Sequence, residues 1–431
     1  MKRIYVGIDW ADDHHDIHVT DDTAEVLDSF TIPYNYEGME KLRERLAKFS
    51  SSPENVLVAI ESNEGLLFWN LLEEKYQVYL INPKAMSRYP DRYRISSSKS
   101  DPEDAMVLAN ILRTDLHLYK PFSKDSWADA RLKHLTRAHK SLIQEKVKLV
   151  NQLTTQLKNY YPVVLQIFSH LDQEITLAFL QQYPSPEKAK TASLEELQDF
   201  FRKEKYSHPD KVLFIHKSLH RPSLKAPREL AEIYEMIVLS LVPVLHCLLG
   251  QIKGLEKRIA LVFEENPAHD MFSSLPAGPI IAARLNAEVG SASARYPTRE
   301  SLQTEAGTAP VTKRSGKSII VCFRWQCNKH LRNAVQSLAR ESVHKCPWAR
   351  RYFANQLRLG HKASRAYRAL GNRWTAIIWK MLQEGQCFSQ ARLEDSLTKA
   401  LHSSIGINKV LATLQKSGSR GLDKGSPSPS W

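Results

Sequence analysis

Cysteine is scarce in this 431-residue chain, with five residues at positions 247, 322, 327, 346 and 387. An odd, scattered set excludes a disulfide framework and fits a reducing compartment. Cys322, Cys327, His330 and Cys346 also match zinc-site spacings poorly. Long apolar runs are missing as well. The most apolar stretch, Ile237 to Leu249, is too short to span a bilayer and contains Pro243 and His246, so a buried helix is expected there. Charged and Asp-rich residues follow Met1 within ten positions, so no secretory leader is expected. A cytoplasmic protein without a membrane partner follows. Glycine-rich phosphate loops are absent, which argues against nucleotide hydrolases of the phosphate-loop or actin-like kind. No internal repeats are found. Acids nearly vanish between Ala306 and Lys380, where Glu341 stands alone among sixteen Lys and Arg.

What is present is otherwise ordinary in bulk: 42% hydrophobic and 25% charged residues. The length allows two or three domains with real cores. The net charge of +13 points to a polyanion, nucleic acid before membrane surface. The charge is also divided. Residues 1–124 hold 15 Lys and Arg against 21 Asp and Glu, a net of −6, and the remainder carries +19. A uniformly basic, solvated surface does not explain an acidic N-terminal third.

Apolar alternation predicts strands at Ile4–Asp9, Asp16–Thr20 and Ala24–Phe30. A helix follows over Tyr36–Lys48, then a strand at Val56–Glu61, a helix at Leu66–Glu74 and a strand at Val78–Ile81. That order predicts a mixed α/β domain of the ribonuclease-H or RuvC kind over residues 1–124. Residues 84–100 read as a basic, Ser-rich loop. Asp101-Pro102-Glu103-Asp104 then opens a helix, with Pro102 at its first position. Leucines at 3–4 spacing predict a long helix over 128–160, with a coiled coil interrupted at His139 and Lys146. A second long helix, Glu229–Phe263, would pair antiparallel with it. These helices and a Pro-punctuated insert at 162–228 make a helical coiled-coil middle, 125–265. A capping box is expected at Ser193–Glu196. A mainly α-helical C-terminal domain spans 266–400, and 401–431 reads as a disordered tail.

Four carboxylates in the acidic third suggest chemistry. Asp9 ends Ile4-Tyr5-Val6-Gly7-Ile8, and Gly7 leaves room for a close approach on its face. Glu61 ends Val56-Leu57-Val58-Ala59-Ile60. Asp101 and Asp104 share a helix face at i, i+3. Each has a plainer explanation: a turn Asp, a helix-capping Glu, or acids stabilising a helix N-terminus. Together, in this order, they read as oxygen ligands for Mg²⁺, with Mn²⁺ as a substitute. Paired divalent ions suit phosphodiester cleavage. Glu64 competes with Glu61 as a ligand, and Lys99 lies near as a phosphate contact.

Aromatics interleave with the basic residues of 306–380: Phe323, Trp325, Trp348, Tyr352, Phe353 and Tyr367. This favours nucleic-acid backbone contact over a solvated face. Trp374 and Trp379 are expected in the core of the last helix. Within this stretch runs Ala306-Gly307-Thr308-Ala309-Pro310, then Lys313-Arg314-Ser315-Gly316-Lys317. Arg314 and Lys317 would contact phosphate. Ser315 is a candidate nucleophile, although spacing alone favours a turn serine that merely hydrogen-bonds phosphate.

These strings resemble the DEDD transposases of bacterial insertion sequences, which are similar to pilin-gene-inverting recombinases. Tyr5-Val6-Gly7-Ile8-Asp9, Ile60-Glu61 and Ser100-Asp101-Pro102-Glu103-Asp104-Ala105 look like the acidic tetrad. Ala306–Pro310 with Arg314-Ser315-Gly316 looks like the C-terminal serine motif. The resemblance implies a RuvC-like domain whose carboxylates hold Mg²⁺. It implies that Ser315 forms a phosphoserine link with DNA and that exchange passes through a Holliday-junction-like intermediate. It further implies a structured non-coding guide RNA and a homo-oligomer, dimer or tetramer, assembled with coiled coils. The alternative is a RuvC-like Holliday-junction nuclease without a covalent intermediate. The sequence departs from the family at Glu61-Ser62-Asn63-Glu64-Gly65 and at Leu275-Pro276-Ala277-Gly278-Pro279, which lacks one glycine of the family's hairpin.

Overall fold

A computed structural model describes residues 3–62, 65–81, 86, 89, 101–122, 127–291, 293–315 and 318–395. The tail from 401 and most of the 84–100 loop lie outside these residues, as do Lys99, Glu64 and Lys317. The chain divides into two compact units, residues 1–127 and 128–431.

The first unit is a five-stranded mixed sheet of order β3-β2-β1-β4-β5. The strands are β1 (Ile4–Trp10), β2 (His14–Asp21), β3 (Val26–Pro33), β4 (Val56–Ile60) and β5 (Gln77–Leu80). β1, β2 and β3 pair antiparallel, whereas β4 is parallel to β1 and β5 to β4. Strand alternation gives the sheet two apolar faces. Ile4, Val6, Ile8, Val58 and Ile60 pack with α1 (Tyr36–Ala47) and α2 (Leu66–Glu73). Tyr5, Leu57, Ala59 and Tyr79 pack with α3 (Asp101–Asp115) through Val107, Leu108, Ile111 and Leu112. The predicted elements all appear, with ends shifted by at most three residues.

Two histidines of β2 are buried, His15 and His18. Neither ring nitrogen of His15 finds a partner. Burial lowers the pKa of both from the usual histidine value. The unfolded chain therefore takes up protons below about pH 6.5 that the folded sheet refuses, and stability falls as pH falls through that value. His15→Phe is expected to flatten this loss. Urea midpoints measured between pH 7.5 and 5.5 check it, and an unchanged pH slope would remove His15 from the account.

Among its described residues, the second unit is helical apart from one hairpin. It begins on α4, which spans Trp127–Tyr160. The insert contributes α5 (Glu174–Gln182), α6 (Leu194–Lys203) and α7 (Val212–His220), and then α8 runs over Arg228–Glu264. The capping box forms: Ser193 Oγ accepts from Glu196 N, and Ser193 N donates to the Glu196 carboxylate. Tyr161, Phe179, Leu180, Leu197 and Phe201 of the insert pack in one core with the C-terminal half of α4 and the N-terminal half of α8.

α4 and α8 do lie antiparallel. Leu132 shares a core with Ile259, Val262 and Phe263, while Leu153 and Leu157 share another with Val238, Val242 and Leu245. The seam between them is interrupted at the two positions expected, His139 and Lys146. Between His139 and Leu153 no α4 residue is fully buried. Instead Lys146 donates to Asp172 of the insert at 2.7 Å, and His139 Nε2 lies 3.2 Å from Glu256 Oε1. Polar residues in the seam recruit polar partners, which interrupts knobs-into-holes packing.

α8 also corrects the reading of Ile237–Leu249 as a short buried helix. It is long and apolar enough to cross a membrane by length and composition, and only 17% of its most apolar window is buried. One stripe packs inward, and Ile233, Met236, Leu239 and Val244 are exposed.

The C-terminal part of this unit builds around α9 (Pro279–Val289), α10 (Arg299–Glu305), α11 (Lys329–Lys345), α12 (Pro347–Arg358) and α13 (Ala363–Glu384). Trp374 is fully buried, its Nε1 donating to Ser342 Oγ at 2.9 Å. Trp379 donates to Tyr296 O at 3.0 Å. Both tryptophans thus serve the core, as expected. Two buried carboxylates fasten α4 here. Asp129 accepts from Asn266, Asn286 and both the backbone N and hydroxyl of Ser291. Glu288 accepts a fork from Arg137, at 2.8 and 3.0 Å, and a third bond from Asn328 at 2.8 Å.

Candidate active site

The sheet brings the acids of the first unit to one end. Parallel pairing of Ile8 with Ile60 makes Asp9 and Glu61 the next residues on neighbouring strand ends. Asp9 shares its face with Tyr5 and Gly7, the face covered by α3. Gly7 fixes how close that helix comes. A Cβ there would lie 1.9 Å from Ala105 O and 2.6 Å from Ala109 N. The first turn of α3, which carries Asp104, therefore rests beside the C-terminal end of β1. Asp101 opens the same turn three residues earlier, and its side chain lies outside the described residues.

Asp9, Asp104 and Glu61 thus share an end and a face. Glu61 is exposed, whereas Asp9 and Asp104 are half-buried. Among the described residues, no three His, Cys, Asp or Glu side chains approach closely enough to hold one metal ion. Cys322, Cys327, His330 and Cys346 likewise form no such group. Cys346 is buried in the helical core, and Cys327 Sγ accepts from Arg332.

The register also shows an acid that sequence reading passed over. Asp16 stands directly opposite Asp9 on β2. It is nearly buried, one oxygen accepts from Thr31 Oγ1 at 2.5 Å, and the other lies 4.0 Å from His14 Nε2. Its signal was its place in the strand alternation, legible only once the β1–β2 register is known.

In the second unit, β6 (Val311–Ser315) and β7 (Ser318–Cys322) form an antiparallel hairpin. Ser315 pairs with Ser318 at its closing end. Ser315 and Arg314 are exposed, and no described side chain hydrogen-bonds Ser315. Ile319, Ile320 and Val321 are exposed as well. A two-stranded hairpin alone is marginal in water, so its stability comes from the base.

Ala306–Pro310 supplies that base. Thr308 is buried, and its Oγ1 donates to Asn372 Oδ1 at 2.9 Å. Arg324 donates to Ala309 O at 3.1 Å. Gly307 has φ +64°, and a Cβ there would meet Cys327 Sγ at 2.6 Å and Arg332 Nε at 2.9 Å. Arg332 in turn donates to Arg324 O and Trp325 O at 2.7 and 3.0 Å. Asn328, which caps α11, ties the hairpin exit to Glu288. The motif is an anchor that presents a serine, while the serine itself projects at the far end.

The Leu275–Pro279 loop is not free to grip phosphate. Gly278 N donates to Glu341 Oε2 at 2.7 Å. The lone acid of the basic stretch is thus engaged there and with Lys345.

A mixed α/β unit followed by a mainly helical one carries these residues, and comparison with known proteins gives the class, a DEDD-type DNA transposase. Two family descriptions match the chain: a DEDD transposase over residues 6–162, and the transposase IS116/IS110/IS902 family over residues 270–354. The chain is 31% identical over 408 residues to the mini-circle transposase assigned to IS117 in Streptomyces coelicolor, covering 92% of this chain and 98% of that protein. It is 25% identical over 399 residues to an uncharacterized 43.6 kDa protein of insertion element IS110 from the same organism, covering 90% and 96%. A 42 kDa protein of insertion element IS900 from Mycobacterium paratuberculosis is 22% identical over 397 residues, covering 90% and 98%. The chain belongs to the IS110/IS116 family of insertion-sequence transposases.

Proposed function

We propose that this transposase cuts and rejoins DNA through a covalent link on Ser315. The observation that carries the reading is the exposed Ser315 beside Arg314 at the end of an anchored hairpin, in a chain whose other unit gathers Asp9, Glu61 and Asp104 at one sheet end. Ser315 Oγ attacks the scissile phosphorus and gives up its proton. The phosphorus bond to one strand end breaks, and that end leaves as a deoxyribose hydroxyl. Reversal by a hydroxyl from another strand frees the serine and completes the exchange. Arg314 and Lys317 hold the phosphate oxygens.

Asp9, Glu61, Asp101 and Asp104 are all hard oxygen donors of the type Mg²⁺ or Mn²⁺ takes. The shared end and face of three of them fit such a role in part, because they do not form a closed ligand set as they stand. When bound, the ion would stabilise charge on the phosphate and the leaving oxygen. A structured guide RNA, a dimer or tetramer, and a cytoplasmic setting complete the proposal, supported by the resemblance and the basic charge of the second unit.

Ser315→Ala tests it. The wild-type protein, denatured during reaction with its element's DNA ends, should yield a protein–DNA adduct. The variant should yield none and lose strand exchange by about 10⁴-fold or more. Strand cleavage persisting in Ser315→Ala without any adduct would instead favour the junction-nuclease reading.

A further inference from the structure

The hairpin base holds a cluster of cations that the transfer chemistry does not use. Arg332 of α11 and Arg368 of α13 both lie against the ring of Phe323, their guanidinium carbons 4.7 and 4.5 Å from its centroid. Both arginines fall in the first two turns of helices that run side by side. Arg332 is partly committed, since it donates to two backbone carbonyls and to Cys327. Arg368 makes no hydrogen bond or ion pair with any described residue, and its Nε is buried without a partner.

A guanidinium carries five N–H donors, and leaving a buried one unpaired is costly. Here the cost is compounded. Burial, then the neighbouring charges of Arg332 and Arg365, pull the Arg368 pKa below the ordinary arginine value. Among the described residues no acid stands close enough to relieve the crowding, and Glu341 is bound elsewhere. A fold that concentrates like charges around an aromatic platform, with an empty donor fork, is arranged for an anion. Phe323 directly follows β7, the strand that returns from Ser315.

We propose that Arg368, supported by Arg332 and Arg365, clamps a backbone phosphate of the DNA strand lying along the hairpin. The clamp acts through affinity and register, and it rests on the DNA-transfer reading above.

The test uses full-length protein and a mixed-sequence DNA duplex, with affinity followed across a potassium chloride series. Arg368→Gln is expected to weaken binding about 10-fold at low salt and to lower the slope of log affinity against log salt by about one. Arg368→Lys should keep the slope. The melting temperature of Arg368→Gln should hold or rise, because a crowded charge is removed, and inorganic phosphate should stabilise the wild type more than this variant. A lowered melting temperature with unchanged affinity and slope would make Arg368 a strut for Phe323 and overturn the clamp. A slope change seen only with an RNA duplex of the same sequence would overturn the assignment to DNA. A wild type that forms the Ser315 adduct, beside an Arg368→Gln protein with unaltered salt slope, would sink the clamp alone and leave the covalent chemistry standing.

Discussion

Gly7→Ala should cripple the first unit, lowering its stability by about 3 kcal/mol and its melting temperature by roughly 10 °C. The added methyl would sit 1.9 Å from Ala105 O and 2.6 Å from Ala109 N. Neither is the flexible end of a side chain, so the whole of α3 must lift off β1. Lifting α3 also carries Asp104 away from Asp9, so activity should fall further than the unfolded fraction alone explains. Thermal melts and DNA-transfer assays on the same preparation check both parts. Gly254 in α8 supplies a control of opposite sign. Nothing lies within 4 Å of a Cβ there, so Gly254→Ala should stabilise its helix by about 0.5–1 kcal/mol. A Gly7→Ala protein as stable as the wild type would mean that α3 does not sit on β1 as described.

Glu288→Ala should be the most damaging single change in the second unit, at about 3 kcal/mol. Its carboxylate is buried and binds Arg137 of α4 and Asn328 at the hairpin exit together. Burial alone would push this carboxyl up, but the bonds from Arg137 and Asn328 outweigh it and hold the pKa below the usual glutamate value. Removing one partner of a buried pair costs about 3–5 kcal/mol because the other is left uncompensated. Arg137 keeps some exposure, which places the figure at the lower end. The sign of the pH dependence follows. Glu288 contributes fully above its unfolded pKa, near 4.5, and that contribution fades as pH falls through the lower folded value. Urea unfolding of wild type and variant should therefore diverge most near neutrality and converge in acid. Equal stabilities at pH 7 would refute the assignment.

Much of the first unit was legible because its strands are runs of β-branched and apolar residues bounded by Asp-rich turns. Pairing was less so. Asp16 became visible only through its register with Asp9, since a single strand carries no mark of its partner. The role of Gly7 was half legible: a gap on the Asp9 face was expected, but its filling by the α3 backbone depends on a contact about a hundred residues away. In the second unit, leucine spacing located α4 and α8 and the breaks at His139 and Lys146, but not the partners Glu256 and Asp172, which no periodicity reveals. Ala306–Pro310 was read beside Ser315 as one motif. The structure separates it into an anchor and a presented residue, a distinction set by the hairpin's length.

The pairings of Arg137 with Glu288 and of Asp129 with Asn286 span 151 and 157 positions. Closing so long a loop costs only about 1 kcal/mol more than closing one a third its length, but it must wait for the chain. During synthesis the first unit can complete its sheet as soon as residue 115 has emerged. α4, by contrast, stays unfastened at its start until α9 and Asn328 arrive. Domains fold as they are made, so the acid-bearing sheet matures well before the arm that carries Ser315. A ribosome stalled anywhere in the insert would release the acidic end of the enzyme without its serine.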